Sequence, residues 1–408
     1  MQQSSVKVSK IPLILVGLLF SVYPFGPAIQ NIGLGLFVLM GLWICRSALK
    51  RRVWTPVPAA RLVISSMIVF LVWNVVATWI SPTHHSDEKL AFFVGYAPLF
   101  ILPWIVGFFP QLDSKSEQKL LSYAAGAVFV WGLVVTSQYF FPWRWVGTQL
   151  VPNITSRAQG FYSHPMSLAY ASLILWPLSI RMVLSFPRRW PSWGLFLGTA
   201  LMLVFSMSRI VQVLAALFAM WNIFVLLSGR QRSLVLMLAV LFGLVLAFTK
   251  NPVSTRFHHL LNPTPEERLS DYPDDRLAFW DAHFLMIQER PFLGHGIHLN
   301  LAFRKPYYER LGLADFRKQY PAHNQYLQIL AEGGIVGLGL YSVWLVALWL
   351  LIQRQVTDAF FRVSAQQSLL IFGLGCLTQN AFGDSCVRMG LVILVSLVML
   401  RFKRLSKL

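Results

Sequence analysis

The chain reads Pro321-Ala-His-Asn-Gln-Tyr-Leu-Gln-Ile-Leu-Ala-Glu-Gly-Gly-Ile-Val-Gly337 where a long polar loop ends and an apolar helix begins. This junction predicts that His323 lies at a membrane surface. Because the helix begins at about Asn324, the imidazole sits at the positive end of the helix dipole, which favours its neutral, proton-accepting form. The stretch therefore predicts a membrane-embedded helix with a candidate base at its start.

The composition is that of a membrane protein. Of 408 residues, 56% are hydrophobic and only 12% are charged, about half the charged fraction of a typical soluble protein. Several apolar runs reach the roughly 20 residues that a helix needs to cross hydrocarbon. Lipid offers no partners for backbone amides, and the runs are too continuous for alternating barrel strands. We predict an all-α integral membrane protein with a single polytopic domain over residues 1–408.

About twelve transmembrane spans account for the apolar runs. They cover approximately residues 11–29, 31–45, 60–80, 90–109, 120–141, 166–186, 193–207, 209–228, 233–250, 324–352, 365–382 and 387–401. Spans seven and eight share one apolar run that is short for two full crossings. No small-residue cleavage site follows the first span, so it is predicted to remain as an anchor.

Basic residues in the short loops set the predicted orientation. They cluster at Arg46/Lys50/Arg51/Arg52, Arg188/Arg189, Arg230/Arg232 and Arg401/Lys403/Arg404/Lys407. With twelve spans, these clusters and both termini lie on the cytoplasmic side, and all nine histidines lie on the opposite side. The net charge of +19 fits attraction to anionic lipid headgroups, and no nucleic-acid motif accompanies it, so nucleic acid is not a predicted partner.

The outer side carries one dominant loop, residues 251–322 between spans nine and ten. A loop of that length usually has structure and function of its own. Within it, residues 272–291 are predicted to form a helix, with Pro273 in the first turn and two aspartates following. Its apolar stripe consists of Leu277, Trp280, Phe284 and Ile287. Such a helix is expected to lie flat at the membrane interface, against the spans.

Three arginines on the outer side are candidate ligands for an anionic lipid. Arg209 lies between apolar runs, where a charge is costly, and therefore predicts either an anionic partner or snorkelling to the surface. Arg276 borders the loop helix, although a salt bridge with the preceding aspartates would also explain it, and Arg157 lies in the loop before span six. Guanidinium groups bind phosphate oxygens bidentately, so two or three of them would hold a diphosphate without a metal.

Span ten carries further polar groups. Gln325, Gln328 and Glu332 fall on one helical face, and a glutamate within a span should face protein or water. The glycines of residues 333–339 allow close helix contact and do not match a nucleotide-binding fingerprint.

Alternatives for the base and for a metal site stay open at this point. A capping or packing role would explain His323 equally well, and its competitors on the same side are His164, His283, His295 and His298. No two-His-plus-carboxylate spacing stands out, and the three cysteines form neither a disulfide framework nor a zinc pattern.

Several motifs recur together in one known family, in the expected order over residues 157–340. They are Arg157-Ala-Gln-Gly-Phe-Tyr-Ser-His164-Pro, Ser206-Met-Ser-Arg209, Arg276-Leu-Ala-Phe-Trp280, Glu289-Arg-Pro-Phe-Leu-Gly-His-Gly296, and His323-Asn324 with Leu327, Glu332, Gly334 and Gly337. In this combination the chain resembles the O-antigen ligases, within the ligase and polymerase superfamily of bacterial polysaccharide membrane enzymes. His295 departs from the family pattern, which has a small apolar residue there, and leaves an additional role open.

The resemblance implies an all-helical membrane glycosyltransferase. It would transfer O-antigen polysaccharide from undecaprenyl diphosphate to a sugar hydroxyl of lipid A–core, at the periplasmic face of the bacterial inner membrane, with inversion and without metal or other cofactor. By position, His323 would be the general base, and Arg209 and Arg276 would bind the diphosphate. The expected substrate-binding set is Arg209, Arg276, Arg157, Asn324, Trp280 and His164.

Other functions compete with this one. An O-antigen polymerase transfers the same donor to another lipid-linked chain, and a protein O-oligosaccharyltransferase modifies Ser or Thr. A lipid-oligosaccharide transporter is the alternative from a different class, but transporters show paired halves, and here one dominant loop follows span nine without evident symmetry.

Overall fold

In the computed structural model, the residues described are 39, 58–81, 114–141, 143–146, 149–152, 157–162, 164–248, 275–297, 301–313 and 321–400. Most of this part of the chain is helical. The helices are α1 (Pro58–Ile80), α2 (Ser114–Phe140), α3 (Pro165–Ser185), α4 (Trp190–Phe205), α5 (Arg209–Leu226), α6 (Gly229–Phe248), α7 (Asp275–Glu289), α8 (Leu301–Arg310), α9 (Gln325–Gln355), α10 (Ala359–Gly375) and α11 (Ser385–Leu400). Strands β1 (Trp143–Val146) and β2 (Gln149–Pro152) form an antiparallel hairpin.

The apolar helices are those of a multi-pass membrane protein. Five of the described helices are long and apolar enough to cross a membrane: α1, α2, α3, α5 and α9. Helix α4 is apolar but shorter. Predicted spans 11–29, 31–45 and 90–109 lie outside the described residues, so the count of twelve stays a prediction.

Helix α3 forms the centre of the bundle. In its apolar window 89% of the residues are buried, compared with 39% or less in the other four candidate spans. It packs against α4, α5, α10 and α11. Within the core, the Ser368 hydroxyl donates to the Ile174 carbonyl of α3 at 2.7 Å, and the Trp176 indole donates to the Ala215 carbonyl of α5 at 2.8 Å. The centre is therefore cross-linked by polar bonds, which are strong where no water competes.

Glycines bring α2 and α4 close together. A Cβ on Gly132 would lie 2.7 Å from the Gly198 Cα, and a Cβ on Gly198 would lie 2.4 Å from the Val128 carbonyl oxygen. Small residues at helix crossings replace the hydrophobic drive that lipid does not supply. This contact holds the middle of α2 against α4.

The structure corrects three details of the predicted topology. The segment between α2 and α3 contains the β-hairpin, which the expected all-α fold did not include. Predicted span 365–382 is displaced, because α10 begins at Ala359 and ends at Gly375, and residues 376–384 form turns. The predicted continuous span ten is broken at Gly334, where φ is +64° and ψ is −170°.

The break in α9 is filled by the turn at residues 291–297, which we call the clasp. Its backbone amides at His295 and Gly296 donate to the carbonyls of Ala331 and Glu332, at 2.9 and 2.8 Å. In return, Ile335 N donates to the Pro291 carbonyl at 2.8 Å. The clasp thus takes the place of helical bonds that the break removes. It anchors the segment after α7 to the middle of a spanning helix.

Helix α7 turns only part of its predicted stripe inward: Trp280 and Ile287 pack against the buried cluster. Leu277 and Phe284 of the predicted stripe are 41% and 46% exposed, whereas Phe279 and Met286 are buried against α8 and α9. The exposed pair leaves an apolar surface available to lipid, as expected of an interfacial helix. Helix α8, which the sequence analysis did not identify, packs on the buried side.

Candidate functional site

Several helix ends meet at one end of the bundle. His164, Ser208, Asn324 and Asp384 immediately precede the N-termini of α3, α5, α9 and α11. The loop after α2 and the C-termini of α4 and α10 reach the same end through the bonds described below. The basic pairs Arg188/Arg189 and Arg230/Arg232 lie at the other end, between α3 and α4 and at the start of α6. Helix N-termini are favourable surroundings for an anion.

His323 lies in a left-handed turn directly before α9. Its φ is +46°, a conformation that few residues other than glycine adopt, although His and Asn do so more readily than most. Both backbone groups of Ala322 are held: its amide donates to Gln328 Oε1 at 3.2 Å, and its carbonyl accepts from Trp280 Nε1 at 2.9 Å. Asn324 caps the helix by accepting from two amides, at 3.0 and 3.2 Å. The backbone that presents His323 is therefore fixed on both sides.

The imidazole of His323 contacts two other elements. Its Nδ1 lies 3.1 Å from Gln379 Oε1, and its ring lies 5.7 Å from the Phe279 ring of α7. Gln379 belongs to residues 376–384, which we call the α10–α11 segment. His323 is partly exposed, whereas Gln379 is 9% exposed. The ring therefore rests on buried protein and retains access to solvent.

The α10–α11 segment is held from several directions. The Gln325 side chain accepts from the amides of Phe382 and Gly383, and Arg388 donates to the carbonyls of the same two residues. Gln325 N also donates to the Cys376 carbonyl at 2.7 Å. These bonds satisfy backbone groups that no helix serves, as irregular chain near a membrane requires.

The segment Arg157–Pro165 brings two predicted residues to this end. Arg157 Nε donates to the Ser206 carbonyl at 3.0 Å, which ties the segment to the turn after α4. The amide of Gln138 on α2 both donates to the Gly160 carbonyl and accepts from the Gly160 amide, each at 2.7 Å. Gly160 has φ of +63°, and a Cβ there would lie 2.7 Å from Trp131 Nε1. The conformation of this motif therefore depends on its glycine.

His164 is the N-cap of α3 and lies in the same electrostatic neighbourhood as His323. Its Nδ1 accepts from Met166 N at 3.1 Å. Partial burial lowers the pKa of His164, as do the nearby Arg157 and His323, whereas Asp384 acts in the opposite direction. Asp384 in turn accepts from the Ser167 hydroxyl at 2.5 Å. These interactions bring Arg157, His164 and His323 together.

Arg276 reaches the site from α7. It lies close enough to the Tyr170 hydroxyl on α3 to act on it electrostatically. That hydroxyl is 2.5 Å from Thr378 Oγ1, next to Gln379. The predicted partner Trp280 lies one helical turn further on, but its indole N–H is engaged by the Ala322 carbonyl. Trp280, like the capping residue Asn324, thus serves the backbone of the His323 turn.

Arg209 is placed through its own turn. It begins α5, three residues after the Ser206 carbonyl that Arg157 binds, and Met207 between them has φ of +54°. Arg209 is partly exposed at this end of the bundle. Through its bond to Ser206, Arg157 joins its own segment to the turn that leads into Arg209.

A buried polar cluster lies behind the His323 turn. Gln328 Nε2 donates to Glu332 Oε1 at 2.7 Å, and Gln328 Oε1 lies 3.2 Å from His283 Nε2. Desolvation lowers the pKa of His283 to about 4, so its imidazole is neutral at pH 7. Glu332 is 8% exposed and faces protein, as predicted, and the buried Arg304 is close enough to attract it. The cluster supports the turn from inside.

His295 has a packing role at the clasp. It is buried, its Nε2 donates to the Met286 carbonyl at 2.8 Å, and its ring contacts Phe303 and Tyr307 of α8. Burial lowers the pKa of His295. His295, the residue that departs from the family pattern, therefore links α7, α8 and the clasp. The remaining competitor, His298, lies outside the described residues.

Two polar residues at the site were missed by the sequence analysis. Gln379 fell within predicted span 365–382, and Asp384 was taken for a connection between spans. The signal was the run Thr378-Gln379-Asn380, three polar residues that a lipid-facing helix would not place side by side. Among the described residues, no group of three or more His, Cys, Asp or Glu side chains is arranged to hold a metal ion.

Comparison with known proteins relates part of the chain to a known family. Residues 194–342 match the model of the family described as O-antigen ligase. The match spans α4 to the first part of α9 and includes Arg209, Arg276 and His323. Comparison with curated proteins finds no match. Members of the matched family are membrane glycosyltransferase-like enzymes of polysaccharide biosynthesis that act on lipid-linked polysaccharides. Over residues 194–342 the chain is therefore similar to the O-antigen ligase family.

Proposed function

We propose that this protein is an O-antigen ligase. It transfers O-antigen polysaccharide from undecaprenyl diphosphate to a sugar hydroxyl of lipid A–core at the periplasmic face of the inner membrane. The proposal is carried by one observation: the motif segments around Arg157, Arg276 and His323, far apart in sequence, meet at one end of the helical bundle. That end also contains the N-termini of four helices.

His323 is the general base in this proposal. Of the four described histidines, His283 and His295 are buried, and His164 is engaged as a helix cap. His164 and His323 both reach solvent, but His164 uses Nδ1 to cap α3, whereas the His323 turn is held through the backbone of Ala322. It removes the proton of the acceptor hydroxyl as that oxygen attacks the anomeric carbon. Proton transfer of this kind contributes roughly 10²- to 10⁴-fold to a rate.

The arginines stabilise the leaving group. As the anomeric C–O bond breaks, its electron pair passes to the undecaprenyl diphosphate, and negative charge increases there. Arg209 and Arg276 bind the diphosphate, Arg157 assists from the neighbouring connection, and the helix dipoles act in the same direction. Attack opposite the departing diphosphate inverts the anomeric centre. The donor is already activated, so we propose that neither nucleotide nor metal is required.

Reconstitution tests the proposal. Purified protein is mixed with lipid-linked O-antigen and lipid A–core, in chelator and without ATP, and joined product is measured. His323→Asn is the informative variant, because Asn tolerates the left-handed turn that His323 occupies. We expect the variant to keep its melting temperature and to lose product formation by about 10³-fold.

Three results would contradict the proposal. Wild-type rates in His323→Asn would show that His323 is not the general base. Longer lipid-linked chains without lipid A product would identify a polymerase instead. Dependence on an added divalent cation would exclude the metal-independent mechanism.

A further inference from the structure

An imidazole has two nitrogens, and the identity of His323 does not determine which one takes the proton. In neutral histidine one nitrogen carries a proton and the other a lone pair, and the bond made by one decides the role of the other. The residue that contacts His323 Nδ1 therefore matters for catalysis. In the structure that residue is Gln379, at 3.1 Å.

Gln379 turns its carboxamide oxygen toward the ring. An amide oxygen only accepts hydrogen bonds, so this orientation of Gln379 favours the ring protonated at Nδ1. The lone pair is then on Nε2. In that tautomer the nitrogen at the far side of the ring from the α10–α11 segment is the proton acceptor.

Gln379 is mounted on well-held backbone. It is 9% exposed, and both of its neighbours are bonded to other elements. Thr378 Oγ1 is 2.5 Å from the Tyr170 hydroxyl of α3, and Asn380 Nδ2 donates to Gln328 Oε1 at 3.4 Å. A side chain on such a support can orient a ring, because little rotation remains to it.

His164, the other exposed histidine, uses its Nδ1 as an acceptor rather than as a donor. His164 Nδ1 accepts from the Met166 amide, so the proton of its neutral ring is on Nε2. His164 therefore presents a donor where His323 presents an acceptor. This difference explains why two neighbouring imidazoles would have different roles, with His323 as base and His164 as a donor to substrate oxygens.

Gln379 is also electrically neutral, unlike the carboxylate that orients the base in many hydrolases. The titratable groups that act on the surroundings of His323 are His164 of α3 and His283 of α7, and Arg157 and Asp384 act on His164 in turn. Asp384 is committed to Ser167 and to the start of α11. A neutral partner favours the neutral ring, the form that can accept a proton.

We propose that Gln379 is a positioning residue that selects the Nδ1-protonated tautomer of His323 and so makes Nε2 the base. The inference rests on the proposed role of His323. In the step, the acceptor oxygen bonds to the anomeric carbon, the C–O bond to diphosphate breaks with its electron pair, and the hydroxyl proton moves to Nε2. The Nδ1–H of the resulting imidazolium stays on Gln379, where the bond strengthens because its donor is now charged.

Two substitutions test this role. Gln379→Met keeps the length of the side chain but accepts no bond from Nδ1, and we expect kcat to fall about 10-fold with little change in KM for either substrate. Gln379→Glu keeps the acceptor and adds charge, which favours the imidazolium. We expect the acid limb of the kcat–pH profile to move upward by about one pH unit or more, with activity recovering at higher pH.

The measurement separates this inference from the proposed function. Activity in His323→Asn would contradict both the proposed function and the role of Gln379. If His323→Asn is inactive, an unshifted pH profile in Gln379→Glu or an unchanged kcat in Gln379→Met would contradict only the role of Gln379. Nitrogen chemical shifts of ¹⁵N-histidine-labelled protein give a readout independent of activity and of the variants. We expect a protonated Nδ1 for His323 and a protonated Nε2 for His164; the reverse assignment for His323 would overturn the inference.

Discussion

The start of α9 and its break, about ten residues apart, are stabilised in opposite ways. At the start, side chains of Trp280, Gln328 and Asn324 hold the backbone, and the ring of His323, the proposed base, stays partly exposed. At the break, backbone of the clasp pairs with backbone of α9, and glycines allow the approach. The motif at the start of α9 therefore has two parts: the turn that presents His323, and the break that receives the clasp. Mutations at the turn should change the reaction rate, whereas mutations at the break should change stability.

The largest expected effect is at the break. Gly334 has φ of +64° and ψ of −170°, a region that is essentially restricted to glycine, and a Cβ there would lie 2.1 Å from the Phe292 carbonyl oxygen. We expect Gly334→Ala to destabilise the protein by about 3 kcal/mol or more, seen as loss of folded protein in detergent.

Gly339→Ala is the matched control for that substitution. Among the described residues, no atom outside its own stretch of helix lies within 4 Å of a Cβ built there, and alanine is the better helix former. Thermal unfolding should be unchanged or slightly raised. Equal stability of the two variants would show that the clasp does not constrain α9.

The next effect concerns the anchors. We expect Arg276→Lys to lower kcat/KM for the lipid-linked donor by about 10- to 100-fold, because lysine keeps the charge but loses bidentate bonding. Arg310→Lys is the control, since Arg310 is exposed and paired with Glu289. Wild-type kinetics in Arg276→Lys would remove Arg276 from the diphosphate site.

A smaller effect is expected at Trp280, on the chemical side of the comparison. Trp280→Phe keeps the ring but removes the bond to the Ala322 carbonyl, so kcat should fall about 5- to 10-fold for the roughly 1 kcal/mol that such a bond is worth. The control is Trp193→Phe, which removes an indole bond to the Pro187 carbonyl at the other end of the bundle. If kcat falls equally in both variants, Trp280 does not act by positioning the His323 turn.

The smallest effect is a pH dependence near the clasp. The Tyr307 hydroxyl donates to Glu289 at 2.6 Å and, with Arg310, holds the pKa of Glu289 below its usual value. A depressed carboxyl pKa contributes stability that is present above the unfolded value and lost as pH falls through the folded one. Because Glu289 is largely solvated, we expect less than about 1 kcal/mol. Tyr307→Phe should flatten the loss of thermal stability below pH 4.5, and an unchanged slope would contradict the assignment.

The sequence predicted most of the described spans because apolar runs report directly on burial in lipid. Helices α3 and α5 begin within a residue of their predicted starts, and α9 begins one residue after its predicted start at Asn324. The motif arginines and His323 were chosen as candidates through their chemistry and the family resemblance, and their roles stay predictions. In each case the signal is local, carried by a few consecutive residues.

Non-local pairing accounts for what the sequence did not predict. The break at Gly334 depends on the clasp, about forty residues earlier, and a run of glycines in a span is equally typical of straight close-packed helices. The end of α10 was misplaced because Leu377 and Phe382 extend the apolar run past Gly375. Gln379 became identifiable as a partner of His323 only when the fold brought positions 323 and 379 together.

The clasp also defines which part of this protein can be exchanged between relatives. Its donors lie near residue 295 and its acceptors near residue 332. A hybrid enzyme whose two parent sequences join between these positions would pair a clasp from one relative with a helix α9 from another. A transplant meant to alter substrate choice should carry residues 275–335 as one cassette.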